Sequence, residues 1–431
     1  MKRKVIVHNQ ILLLGITILI IVNSCSYTPV PVVPESPIRT LQIQESRVQP
    51  VRSGLEVFLD RSPGFEKLKY GLLTNQTCVN HELVHGVELL PAIIDLQLIL
   101  SPEHGLFGAE NAGDRVDSET DPGTGIKSLS TYRKKPAEIA KMIEDLDVVL
   151  FDIQDIGVRS YTYIYSMAYL MQAAAIAGKK VIILDRPNPI NGIQMEGNIL
   201  DPEYSSFVGM YPIPYRHGMT TGELALLFNS EYGINCDLEV VKMTGWTRSM
   251  WYEDTGLPWV PTSPHVPDAE TILPMIATGT YGELGMLSEG VGTTLPFEYT
   301  GGPWITDPHA FARAMEARAG EGVIYRPTFF KPYYGRHKGE VCGGLQLYVT
   351  DRDLFSPYLV GLTLMAVHQE LYPDINLFEN ENRFDMFAKV MGSDDIRLEI
   401  KKGTDPRELE QKWMEELLRF GELRKKYLLY N

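Results

Sequence analysis

The chain is poor in cysteine, with four in 431 residues, at positions 25, 78, 236 and 342. Beyond Cys25 only Cys78, Cys236 and Cys342 remain. Three cannot all pair, so a disulfide-built scaffold is excluded and at most one bridge is possible. Glycine-rich phosphate cradles are missing too. No G-x-G-x-x-G follows the first predicted strand and no G-x-x-x-x-G-K-[ST] occurs, so neither a dinucleotide nor a nucleotide site has support. The lack of a G-x-S-x-G elbow argues against a serine hydrolase. Positive charge is in deficit, 40 Lys and Arg against 55 Asp and Glu, which excludes long-range attraction to nucleic acid or anionic lipid. Internal repeats are absent, leaving an ordinary globular composition long enough for two buried cores.

One apolar run does stand out near the start. Met1-Lys2-Arg3-Lys4 is basic, Ile11 to Val22 is apolar, and Asn23-Ser24-Cys25 closes the stretch. It is short for a membrane span and reads as a secretory signal over residues 1–24. Its ending, "IVNSC", resembles a bacterial lipoprotein processing site, which implies cleavage before Cys25 and acylation of that cysteine. The expected consequence is a membrane partner through a lipid anchor at Cys25 and a place in the cell envelope, on the periplasmic or outer-membrane side. Residues 25–50 are rich in proline and lack periodicity, as a tether would be.

Globular sequence follows. "LKYGLLTN" (68–75), "LQLIL" (96–100), "DVVLFDI" (147–153) and "KVIILD" (180–185) are short Val, Ile and Leu runs. They alternate with helical patterns at about 81–92, 136–145 and 163–177, which predicts a mostly parallel, Rossmann-like α/β sheet over residues 51–270. Past about residue 270 the pattern becomes mixed, with helices near 353–370 and 405–425, and predicts a smaller α+β domain over 271–431 whose first loops close a cleft. Ligands of open α/β sheets bind beyond the carboxyl ends of the strands. The polar ends Thr74-Asn75, Ser101 to His104, Asp152 to Asp155 and Asp185-Arg186 are therefore expected to converge.

Five residues, HELVH (81–85), match a zinc-peptidase helix. Asn80 as N-cap would put His81 in the first turn and Gly86 directly after His85, whereas a zinc helix holds both ligands well inside. The reading preferred here is two partly exposed histidines on an amphipathic surface helix, with no metal and no cofactor required. "SPEHG" (101–105) is more suggestive, since Glu103 and His104 sit at the mouth of a buried strand where burial shifts pKa values; the competing reading is a Pro-Glu turn that caps a helix. In "FDIQDIGVRSYTYIYSM" (151–167), a strand through Gln154 would place Asp152 and Gln154 on one face and Asp155 in a loop. Tyr161, Tyr163 and Tyr165 offer flat faces for sugar rings, or simply core packing. "LDRPNPING" (184–192) is rigid enough to hold Asp185 and Arg186 still. In "YRHGMTTGELA" (215–225), Thr220 and Glu223 make a capping box, which leaves Arg216 and His217 unexplained. Glu289 lies in the glycine-flanked loop "SEGVGTTLPFE" (288–298).

These stretches, in this order and together with "GLLTNQT", resemble the exo-β-N-acetylmuramidase family (NamZ-like, formerly a domain of unknown function) across nearly the whole chain after the tether. The resemblance implies a Rossmann-like domain, a smaller second domain, a cleft between them and release of N-acetylmuramic acid from non-reducing ends of peptidoglycan fragments, muramyl saccharides being the partner. It also implies that Glu103 leads the catalytic candidates. Val291 stands where the family pattern has arginine, and His265 where it has asparagine. Glycoside cleavage needs a proton donor and a second negative group, for which Asp152, Asp155 and Glu289 are the candidates, with the sugar's acetamido group as a further possibility for the nucleophile. The lactyl carboxylate of muramic acid calls for a cationic fork, from Arg159, Arg186 or Arg216. His104 joins the catalytic set, and Asn75, Tyr163, Asp185 and His217 complete the expected binding set.

Overall fold

The computed structural model describes residues 50–61, 67–111, 113–114 and 118–431. The signal, most of the tether and Cys25 lie outside the described residues. The strands in chain order begin with β1 (Lys69–Thr74), β2 (Asp95–Ser101), β3 (Glu119–Thr120), β4 (Lys127–Ser130), β5 (Val148–Asp152) and β6 (Lys180–Leu184). The runs β1, β5 and β6 are buried on both faces, which is why they read as unbroken apolar stretches rather than alternating ones. After a hairpin of β7 (Glu196–Ile199) and β8 (Pro214–Arg216), β9 (Asp237–Val241) completes a seven-stranded sheet of order β3-β4-β2-β1-β5-β6-β9. All pairings in it are parallel except β3 with β4. Strand order reverses between β1 and β5, whose last residues Thr74 and Asp152 are register partners.

The helix Tyr163–Ala177 follows β5 and is buried over most of its circumference, ending at Gly178, which takes the left-handed conformation (φ 64°). The expected helix over 81–92 is corrected. Residues 81–85 are turn and bridge, Leu83 has φ 62°, and only Gly86–Leu89 is α-helical, with His85 as its N-cap. Gly86 lies against Cys78 so closely that a Cβ there would sit 2.4 Å from Sγ, and it starts the helix rather than ending one. Cys78, Cys236 and Cys342 are buried free thiols, so the possible bridge does not form.

The second, smaller part contains a three-stranded antiparallel sheet in which β12 (Cys342–Val349) lies between β10 (Tyr299–Gly302) and β11 (Val323–Phe330). The helix Pro357–Leu371 packs on Ile272–Gly282, and Pro406–Arg424 reaches back to β7. One continuous core runs from Ile164 and Met167 beneath the large sheet through Ile276 to Tyr358 and Leu362, so the two parts share buried apolar contact.

Candidate active site

A cavity of about 430 Å³ opens between the two parts. The loops after β2 and β5 supply Glu103, His104 and residues 160–163 to one side. Glu283, Glu289, Arg336 and Arg383 line the other. Its size is within the range of small-molecule sites.

Among the described residues three donors hold Glu103. The Tyr132 hydroxyl and the Gly113 amide donate to Oε1, each at 3.0 Å, and the Thr162 hydroxyl donates to Oε2 at 2.9 Å. Thr162 is the N-cap of the helix Tyr163–Ala177, yet its side chain makes no capping bond. The hydroxyl that would ordinarily satisfy the helix end is turned instead onto the carboxyl group, at the end where the helix dipole favours negative charge. Burial, reinforced by the Glu103 charge, holds the Tyr132 phenol above its usual range. His104 has φ 70°, in the left-handed region, and donates Nδ1–H to the Glu110 carbonyl (2.6 Å). In its neutral form Nε2 then carries a lone pair. Tyr163 sets its ring edge-on to His104 (6.5 Å) and donates its hydroxyl to the Thr262 carbonyl (2.7 Å).

Across the cavity, Glu289 pairs with Arg336 (2.8 Å) and Glu283 with Arg383 (2.6 Å). Burial raises the Glu283 carboxyl above the ordinary range; the Arg383 charge opposes that and the Glu289 charge adds to it. Burial lowers the His265 imidazole, and the His104 charge adds to the effect. The His265 ring stacks on Tyr334 at 5.9 Å and its Nε2 bonds the Tyr334 hydroxyl.

Of the residues expected at the site, the cavity thus gathers Glu103, His104, Tyr163 and Glu289. The others do not line it. Asp152 is fully buried, ion-paired with Arg186 and within 3.1 Å of the Cys78 thiol, because the end of β5 lies beneath the loops rather than in the opening. Asp155 accepts from the Gly157 amide (2.7 Å) and stands 3.5 Å from Nε2 of His217, whose Nδ1 accepts from Met219. Asn75 is buried and accepts from the amide and hydroxyl of Thr77. Asp185 accepts from Thr220, Gly222 and Tyr430, and burial pushes its carboxyl up to about 7.

The three arginines expected as carboxylate forks are likewise corrected. Arg159 is fully buried and donates to the carbonyls of Asn198 (2.7 Å), Ile213 (2.9 Å) and Met391 (2.6 Å). Arg216 is spent on Glu196 and the Ile190 carbonyl, and Arg186 on Asp152 and the Val79 carbonyl. Tyr165 turns into the core and bonds the Arg159 carbonyl. Missed in the sequence were Tyr132, Glu283, Arg336 and Arg383, none of which carries a local pattern that distinguishes it from a surface residue, and Thr162, which lies inside the 151–167 motif but was passed over beside its tyrosines.

The histidines of HELVH are also engaged. His81 bonds Glu56, while His85 donates from Nε2 to the Asn75 carbonyl (2.9 Å) and accepts at Nδ1 from Val87 (3.1 Å). Off a helix, with both ring nitrogens of His85 and Nδ1 of His81 committed, they do not form the paired ligand face that a zinc peptidase requires.

Family models for the N-terminal and C-terminal parts of the exo-β-N-acetylmuramidase NamZ match residues 70–270 and 276–430. The chain belongs to the NamZ family. The peptidoglycan β-N-acetylmuramidase NamZ of Bacillus subtilis (strain 168) is 42% identical over 390 residues, covering 90% of this chain and 93% of its own. Two crystal structures of DUF1343-family proteins from Bacteroides fragilis share the fold. One, 37% identical, superposes with a TM-score of 0.82 over 89% of this chain and 99% of its own. The other is 30% identical, with a TM-score of 0.69 over 88% and 99%. Within this NamZ-family chain, Val291 lies in the cavity wall next to Gly335, so it adjoins Arg336.

Proposed function

We propose that this chain is an exo-acting glycoside hydrolase that releases N-acetylmuramic acid from the non-reducing ends of peptidoglycan fragments, with Glu103 as proton donor. The observation that carries the assignment of roles is that Glu103 and Glu289, from opposite sides, face one cavity of saccharide size. Among the described residues two donors fix Oε1 of Glu103 and one reaches Oε2, which leaves Oε2 a site for the proton delivered to the glycosidic oxygen. As the bond to the leaving oxygen breaks, positive charge develops at the anomeric carbon. Glu289, ion-paired with Arg336, supplies negative charge across the cavity. Tyr161 and Tyr163 give the sugar ring an amphipathic wall.

The test is turnover of a chromogenic β-N-acetylmuraminide by the folded body. Wild type is expected to release the chromophore, and Glu103→Gln to lose at least about a hundredfold in kcat. Equal rates for the two proteins would remove Glu103 from the chemistry, and silence of the wild type would remove the muramidase reading. The apolar run and "IVNSC" support lipid attachment at Cys25 and a place in the cell envelope. Incorporation of a labelled fatty acid by the full chain but not by Cys25→Ser is the expected result; equal labelling contradicts it.

A further inference from the structure

The muramic sugar differs from its N-acetylglucosamine neighbour in the chain by a lactyl ether ending in a carboxylate, so a pocket that selects it needs a cation whose donors are still free. Among the described residues two guanidinium groups line the cavity, those of Arg336 and Arg383. Their free edges differ. Arg383 spends the side-on edge: Nε donates to the Glu283 carbonyl (3.0 Å) and Nη2 to the Glu283 carboxylate (2.6 Å). Arg336 is held through one nitrogen only. Its Nη1 donates to the carbonyls of Gly282 (3.1 Å) and Leu287 and to Oε2 of Glu289 (2.8 Å), and among the described residues none accepts from its Nε or Nη2. The side chain is one-quarter exposed, so that edge is within reach of a ligand. A guanidinium immobilised at one nitrogen, with a parallel pair of N–H groups unspent, matches the two oxygens of a carboxylate.

The backbone around it is built to keep it there. Gly292 (φ 88°) lets the loop after Glu289 touch the loop carrying Arg336 so closely that a Cβ would lie 2.1 Å from the Tyr334 carbonyl, and Tyr333 donates its amide to Gly292 (2.7 Å). The two loops are thereby locked together, with Arg336 and Glu289 facing the same space.

We infer that Arg336 is the specificity-determining residue of the cavity, receiving the lactyl carboxylate of the muramic sugar on its free Nε and Nη2 edge. This rests on the muramidase reading and deepens it. Glu289 then has two tasks, to face the sugar and to aim Arg336. The positive charge is shared between a fixed internal carboxylate and the incoming one, which suits a product that must leave after each turnover.

The experiment compares 4-nitrophenyl β-N-acetylmuraminide with its lactyl methyl ester, identical except for the charge. Wild type is expected to favour the acid in kcat/KM on the order of a hundredfold, the scale of losing a buried charge pair. Arg336→Met should bring the acid-to-ester ratio close to one, mainly through KM. Arg336→Lys, which keeps the charge but not the fork, should recover part of the ratio, and Arg383→Met should keep it. Equal use of acid and ester by the wild type overturns the inference without any variant, even if Arg336→Met fails to fold. A ratio retained in Arg336→Met, or lost in Arg383→Met instead, overturns it as well. Turnover of neither substrate by the wild type overturns the muramidase reading and this inference together, an outcome distinct from turnover without discrimination.

Discussion

Replacing Thr162 by valine isolates what the loop after β5 contributes to Glu103. Valine keeps the branched shape and removes one hydroxyl. In most helices that hydroxyl would be a capping group, and its loss would cost about 1 kcal/mol of stability. Here it caps nothing and donates 2.9 Å to Oε2 of Glu103. The folded state should therefore be affected little, by less than about 0.5 kcal/mol. The reaction should be affected more, because a hydrogen bond to an ionisable carboxyl contributes about 1.5–3 kcal/mol, or roughly a 10- to 150-fold fall in rate if all of it is felt in the transition state. Denaturant midpoints and kcat on the chromogenic muraminide, measured side by side, separate the two. A midpoint lowered by a full capping increment with kcat unchanged would refute the reasoning, because it would mean the hydroxyl serves the helix and not the acid.

Two further outcomes follow from groups away from the cavity. Glu410 is raised to about 7, by burial first and then by the Glu196 charge, so the folded protein holds a proton that the unfolded chain releases from about pH 4.5 upward. Its contribution to stability is complete below that range and is lost as pH rises through about 7; Glu410→Gln should therefore stabilise by roughly 1–2 kcal/mol at pH 8, with allowance for solvent screening, and by nothing at pH 4, in urea unfolding at the two pH values. Arg159→Met should destabilise by about 3–5 kcal/mol, because it removes a buried guanidinium's bonds to the carbonyls of Asn198, Ile213 and Met391, of which Ile213 keeps the Leu200 amide as a donor; a midpoint equal to wild type would mean that water replaces the guanidinium.

The large sheet was legible because its strands are buried on both faces, so β1, β5 and β6 appear as bare apolar runs. The place of Glu103 at the cavity was legible because it lies two residues past β2, at the sheet's ligand-binding edge. Arg336, Arg383 and Tyr132 were not, since each meets its carboxylate partner across 29 to 100 positions of chain, a distance that no local pattern encodes. The opposite error has one cause at Arg159, Arg186 and Arg216. Charged residues inside recognisable motifs suggest ligands, but in a chain this long some guanidinium groups are needed to satisfy interior carbonyls and acids, and motif residues next to the site meet that need here. At HELVH, a five-letter pattern was overridden by Leu83 in a left-handed turn, which breaks the helical spacing on which the pattern depends.

Arg159 also ties together the two walls of the cavity. Its guanidinium links the β5 loop under the cavity floor to the carbonyl of Met391, at the end of a helix, Phe384–Met391, that contributes Met386 and Val390 to the opposite wall. Parting those walls would expose a buried ion and its acceptors at a cost of several kcal/mol, which opposes widening of the groove. A recess whose walls are tied together from below suits the end of a saccharide chain better than its middle, which is the geometry that the proposed exo-acting reaction calls for.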